Sequence, residues 1–246
     1  MNSISNNMLL IRERIKQACL QADRDPDEVK LLLATKTVPA DKIKIALATG
    51  ETLIGENKAQ ELKSKFAELQ SVKHEKHFIG HLQTNKIKEL LRYGVSCIQS
   101  VDRIDLAEKL QNRLEFEKKE INVFIQVNTS NEVSKFGVTP EKAIQLTKQV
   151  ARFPRIHIKG LMTIGLFSAE KEKVRVCFKK LKKIQQQIAS LNLLNVDMDE
   201  LSMGMSHDLE VAIEEGSTMV RVGTAIFGAR KYTDSYYWNE NRKVDF

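Results

Sequence analysis

A (β/α)8 barrel with an extra amino-terminal helix is the fold this sequence predicts, and three observations predict it. Strand-like apolar runs alternate with segments of helical period, strand then helix, eight times along the chain, a rhythm that builds parallel sheets. The length of 246 residues suits one closed barrel domain over residues 1–246. No Gly-x-Gly-x-x-Gly opens the first strand-to-helix turn, which counts against the alternative, an open doubly wound sheet.

Residues 3–22 come first, with Met8, Leu9, Ile11, Ile15, Cys19 and Leu20 near helical spacing. Residues 31–34 are a short apolar run read as a buried strand, and Pro39 precedes a helix over 40–49 that Gly50 stops. Strands over 52–57, 76–81 and 96–101 follow, each with a helix behind it at 58–70, 83–93 and 103–118. Residues 121–128 are the clearest strand, rich in β-branched and aromatic residues. Pro140 opens a helix that Pro154 bars from continuing past Phe153. A strand over 156–163, a long helix over 169–191, a strand over 199–203, a helix over 208–215 and a last strand over 218–227 complete the series.

Composition narrows the function classes. The polar first seven residues lack the apolar core of a signal peptide, and no apolar run reaches bilayer-spanning length. Cys19, Cys97 and Cys177 are scattered and odd in number, so neither a disulfide framework nor a zinc ribbon is indicated, and a reduced, cytoplasmic setting fits. The net charge of +7 draws heavily on lysines between Lys171 and Lys183 that read as a solvated helix face. No aromatic-interleaved basic motif accompanies them, so neither nucleic acid nor a membrane is an expected partner.

Barrels of this class build their sites from the carboxyl ends of the strands. Those ends carry Lys36, Asn57, His81, Ser100 with Asp102, Asn128, Thr163 with Gly165, Ser202 with Met203, and Arg221 with Gly223. Alternation along the first strand puts Leu32, Ala34 and Lys36 on one face, which delivers an amine to the rim. A partly desolvated amine suits carbonyl capture; the plainer reading is a solvated lysine in a turn. The segments 202–210 and 221–228 are glycine-containing turns, and Ser206 is placed to cap the helix it precedes. Hydroxyls and backbone N–H groups there make a phosphate cradle, in the loops where barrels often keep one. Amine at one end of the rim and cradle at the other suggest a phosphorylated aldehyde, with pyridoxal 5′-phosphate the foremost candidate.

Taken together, Ala34-Thr-Lys36-Thr, Ile54-Gly-Glu-Asn57, His77-Phe-Ile-Gly-His81-Leu-Gln-Thr-Asn-Lys86, Val127-Asn-Thr-Ser, Lys135-Phe-Gly137, Gly160-Leu-Met, Ser202-Met-Gly-Met-Ser206 and Val220-Arg-Val-Gly-Thr224-Ala-Ile-Phe-Gly228 resemble the pyridoxal phosphate homeostasis proteins. These are single-domain barrels related to the amino-terminal domain of alanine racemase (fold type III). The resemblance implies that Lys36 forms the Schiff base, that Arg221 meets the pyridine nitrogen, and that Ser206, Gly223 and Thr224 hold the phosphate. Asn57 and His81 line the pocket in this reading, beside Ser202 and Met203. It also implies a monomer that holds, buffers or delivers pyridoxal phosphate in vitamin B6 and amino-acid homeostasis, with amino acids and pyridoxal phosphate-dependent apoenzymes as partners. Little turnover is expected, because the sequence has no room for the second, β-rich domain that supplies alanine racemase with its tyrosine base. An arginine at the ring nitrogen also disfavours its protonation and weakens the electron sink. The alternatives are a racemase or lyase of fold type III, with His81 the one nearby base, and a metal-dependent hydrolase using His74, His77 and His81. The aromatic tail over 232–246 is expected to pack on the barrel or to meet a partner.

Overall fold

The computed structural model describes residues 3–166 and 168–229; the aromatic tail lies outside them. Eight parallel strands close into a barrel in sequence order: β1 (Lys30–Ala34), β2 (Leu53–Glu56), β3 (Glu75–Phe78), β4 (Val95–Val101), β5 (Ile121–Gln126), β6 (Ile156–Met162), β7 (Val196–Ser202) and β8 (Met219–Val222). The helices are α1 (Ser3–Gln21), α2 (Ala40–Leu47), α3 (Ala59–Leu69), α4 (Ile87–Arg92), α5 (Ile104–Glu117), α6 (Pro140–Val150), α7 (Lys171–Ala189), α8 (Leu209–Glu214) and α9 (Thr224–Phe227). Among the described residues no helix is long and apolar enough to cross a membrane.

Alternation along the strands sorts the side chains into two cores. Leu32, Cys97, Phe124, Met162 and Met219 fill the barrel interior, while Leu31 and Leu33 face outward into a shell shared with α1 and α2. The alternation expected along the first strand therefore holds for Leu31 to Leu33, while β1 itself ends at Ala34, before Lys36. Helix α1 buries Ile4, Met8, Ile11, Ile15, Ala18 and Cys19 in that shell. Its Arg14 donates to Glu210 Oε1 (2.7 Å) and to the Ser206 carbonyl (3.0 Å), and Arg24 donates to the Ile213 and Ser217 carbonyls, both at 2.8 Å. The added helix thus braces the segment that holds the seventh and eighth loops.

Several element ends differ from expectation, among them the seventh strand, which runs over Val196–Ser202, and three differences bear on the site. The last strand stops at Val222, because Gly223 (φ −124°, ψ −74°) leaves extended geometry and residues 224–227 coil into α9, which buries Ile226. The third strand stops at Phe78, which leaves His81 in a loop. Asp208, not Ser206, stands at the N-cap of α8, with Asp208 Oδ1 accepting from the Met205 N–H at 2.5 Å.

Candidate functional site at the barrel mouth

Lys36 stands in the turn after β1, half-buried between buried Thr35 and Thr37. Thr37 has φ +64°, a left-handed conformation rare for a β-branched residue. Three buried side chains hold that turn. The Thr37 N–H donates to Glu61 Oε2 (2.5 Å), Lys65 Nζ donates to the Thr35 carbonyl (2.8 Å), and Thr35 Oγ1 donates to Glu56 Oε1 (2.6 Å). Lys65 also binds Glu56 Oε1 and Glu61 Oε2, each at 2.7 Å, so its three protons are all used. Burial pushes the Glu56 carboxyl up to about 7, against the pull of Lys65. Lys65 is raised, because its two carboxylates outweigh the opposing effect of burial.

Beside this turn, at the end of β2, Asn57 Oδ1 is buried without a hydrogen-bond partner among the described residues. Gly80 passes so close to the Asn57 backbone that an added Cβ would lie 2.1 Å from its carbonyl oxygen, so only glycine fits. His81 follows, its ring stacked on Phe136 with centroids 3.9 Å apart and planes 15° apart, and its Nδ1 3.8 Å from Asp102 Oδ2. Phe136 reaches it on the loop after β5. Asn128 Nδ2 ties that loop through the carbonyls of Glu132 (2.9 Å) and Lys135 (3.2 Å), and Lys135 Nζ donates to the Gly165 carbonyl (2.6 Å).

Arg221 points into the barrel from β8, paired in register with Leu32. Its Nη1 donates to Ser202 Oγ and its Nη2 to the Thr163 carbonyl, both at 2.7 Å. Burial lowers it to about 10, partly offset by Asp208, so it stays cationic at neutral pH. Ser206 Oγ accepts from Thr224 Oγ1 (3.3 Å) and from the Ala225 N–H (3.5 Å), at the start of α9. Released from capping α8, Ser206 brings a hydroxyl to the cradle itself. An added Cβ on Gly223 would stand 2.9 Å from the Ala34 carbonyl. That approach reflects barrel closure. Strand β8 is the neighbour of β1, so the cradle lies beside the strand that delivers Lys36 and not across the rim from it.

The structure therefore gathers Lys36, Asn57, His81, Arg221, Ser206, Gly223 and Thr224 at the strand ends. Ser202 is fully buried beneath Arg221, its hydroxyl engaged with Arg221 and Gln99. Met203 is buried in the outer core, so its side chain is turned away from the mouth. His77 and His81 part company: His77 is buried within the barrel against Gln99 (2.7 Å) as part of β3, while His81 stands in the loop beyond that strand. Sequence reasoning missed Glu56, Glu61, Lys65, Gln99 and Phe136. The Glu61–Lys65 spacing of four was a signal, though one shared with any exposed helical ion pair.

The class of protein is set by a family model. Residues 9–231 match the alanine racemase N-terminal domain, a likeness the closed parallel barrel shares. Curated relatives narrow it further. A pyridoxal phosphate homeostasis protein of Aquifex aeolicus is 43% identical over 222 residues, covering 90% of this chain and 96% of its own. A protein of unknown function from Bifidobacterium adolescentis superposes with a TM-score of 0.86 at 38% identity, covering 92% of this chain and 94% of the other. PipY of Synechococcus elongatus, solved with pyridoxal phosphate bound, gives 0.73 at 30% identity, covering 89% of this chain and 100% of its own. The chain belongs to the pyridoxal phosphate homeostasis protein family.

Proposed function

We propose that this chain binds pyridoxal 5′-phosphate in the barrel mouth, holds it on Lys36, and releases it to amino acids or to apoenzymes in the cytoplasm, acting as a monomer with little or no turnover. The observation that carries the reading is the neighbourhood of Lys36 and the Ser206–Thr224 cradle on adjoining strands, with buried Arg221 between them and the barrel axis. The donor set fits the cofactor. A hydroxyl pair and the Ala225 N–H suit a phosphate, a buried cationic donor suits a ring nitrogen, and the unpartnered Asn57 Oδ1 suits a ring substituent that donates or bridges through water. Bound there, the cofactor supplies an aldehyde that condenses with an amine.

The chain's own residues then do three things. The turn held by Glu56, Glu61 and Lys65 presents the Lys36 side chain. The cradle selects the phosphorylated form. Arg221 keeps a positive charge where a ring proton would sit, which weakens the cofactor as an electron sink. Efficient turnover also needs a positioned base on the face away from Lys36; the histidines in the strand-end loops are His81, stacked on Phe136, and His207, exposed beside Ser206.

Two measurements test this reading. Borohydride reduction of cofactor-loaded protein, followed by peptide mass analysis, is expected to place the label on Lys36; a label elsewhere, or none, overturns the site. Cα–H exchange in deuterated water across an amino-acid panel is expected to be far slower than about one per second, the low end of ordinary enzyme turnover. Exchange at that rate would establish the racemase or lyase reading instead.

A further inference from the structure

Arg221 heads a chain of four hydrogen-bonded polar side chains that runs through the barrel interior. Arg221 Nη1 donates to Ser202 Oγ (2.7 Å), Ser202 Oγ donates to Gln99 Oε1 (2.6 Å), and Gln99 Nε2 meets His77 Nδ1 (2.7 Å). The second Gln99 amide proton is directed at Met219 Sδ (3.1 Å). Ser202 and Gln99 are completely buried, with Arg221 5% and His77 7% exposed.

Chemistry dictates the direction of this chain. A guanidinium only donates, so Ser202 Oγ accepts at that end. The single Ser202 proton then goes to Gln99, which turns the amide oxygen toward Ser202 and the amide nitrogen toward His77. An amide nitrogen only donates, so His77 Nδ1 accepts, and the neutral ring carries its proton on Nε2. Turning Gln99 over would leave the Ser202 proton without an acceptor in this chain, in an interior where an unmade hydrogen bond is costly. The polar chain therefore has one preferred direction, and its upper end is the guanidinium.

We propose that Gln99 is a positioning residue of this site: through Ser202 it fixes the Arg221 guanidinium at the barrel mouth, and its lower end fixes the tautomer of His77. The proposal deepens the reading of the mouth as a pyridoxal phosphate site and rests on it for one of two readouts. The first readout is the nitrogen-15 NMR spectrum of histidine-labelled protein without cofactor, with His77 assigned by its loss in His77→Gln. Wild-type His77 is expected as the neutral Nε2–H form. In Gln99→Glu, whose carboxylate accepts and does not donate, His77 is expected to carry a proton on Nδ1.

The second readout is affinity. Gln99→Leu removes the acceptor of Ser202 and is expected to weaken pyridoxal phosphate binding about tenfold through the misplaced guanidinium, with Lys36 labelling by propanal and borohydride changed less than about twofold. Ser202→Ala should weaken binding similarly, and the double variant no more than either single one, because all three break the same chain. If Gln99→Leu fails to fold, Gln99→Met, which is closer in shape and also lacks the amide acceptor, carries the affinity readout, and Gln99→Glu, which keeps an acceptor for Ser202, carries the tautomer alone. A wild-type His77 protonated on Nδ1, wild-type affinity in the folded Gln99→Leu or Gln99→Met variant, or additive losses overturn the proposal. A wild-type protein that takes up no pyridoxal phosphate on Lys36 sinks the functional reading instead, and the tautomer still decides the direction of the chain.

Discussion

Lys65 is the residue where charge burial and function meet most directly. It is 7% exposed, as is Glu61, and Glu56 is 1% exposed. Buried ion pairs of this kind contribute little net stability, because desolvation consumes most of the attraction. Their value here is geometric: they hold a left-handed Thr37 and both peptide groups that flank Lys36. Lys65→Met is expected to destabilise the fold by about 3–5 kcal/mol, since two carboxylates lose their cation in a dry pocket. Urea unfolding measures it, and a loss below about 1 kcal/mol, the range of a surface pair, would show the trio to be solvated. Lys36 and Arg221 were legible in the sequence because each ends or occupies an apolar strand, where alternation gives a direction. The trio was not. Glu56 sits in a strand segment, Glu61 and Lys65 in a charged helical one, and nothing local says that the turn after another strand folds onto them.

At the scale of elements, the eight strand-helix units were legible because each strand is a short apolar run and each helix has its own period. The end of the eighth was not. Val222-Gly-Thr-Ala-Ile-Phe227 is β-prone by composition, yet the chain turns at Gly223 and spends Thr224–Phe227 on a short helix. Sequence also cannot show which strands become neighbours, and barrel closure is what sets the cradle beside β1. The consequence is a site whose phosphate end is built by two adjoining turns, one carrying Ser206 and the other Thr224. Ser206→Ala with Thr224→Ala removes both hydroxyls, at about 1.5–3 kcal/mol for each hydrogen bond to a charged group. Pyridoxal phosphate affinity is expected to fall at least about tenfold by fluorescence titration, while unphosphorylated pyridoxal changes little. Equal weakening of the two aldehydes would mean that these hydroxyls act through the fold and do not meet phosphate.

For the whole molecule, two buried groups pull stability in opposite directions as pH changes. Burial, helped by Lys30, lowers His77 from 6.5 to about 4. The folded protein therefore keeps the ring neutral where the unfolded chain binds a proton. That contribution is present above pH 6.5 and is lost as pH falls toward 4. Glu56 behaves oppositely. Its carboxyl rises from 4.5 to about 7, chiefly through burial, so the folded protein keeps a proton that the unfolded chain releases. Its contribution is full below pH 4.5 and is lost as pH rises toward 7. Between 4.5 and 6.5 the two slopes oppose each other, and the wild-type dependence from this pair is expected to be shallow. Single variants separate them. His77→Gln leaves the Glu56 slope, so stability relative to wild type should tilt downward as pH rises across that window. Glu56→Gln leaves the His77 slope and should tilt it upward, each by no more than about 1.4 kcal/mol per pH unit for one proton. Urea midpoints for the three proteins across pH 4.5 to 6.5 make the comparison. Parallel curves would mean that neither group changes its protonation on unfolding in this range; tilts of the same sign would mean that one of the two buried environments is wrongly assigned.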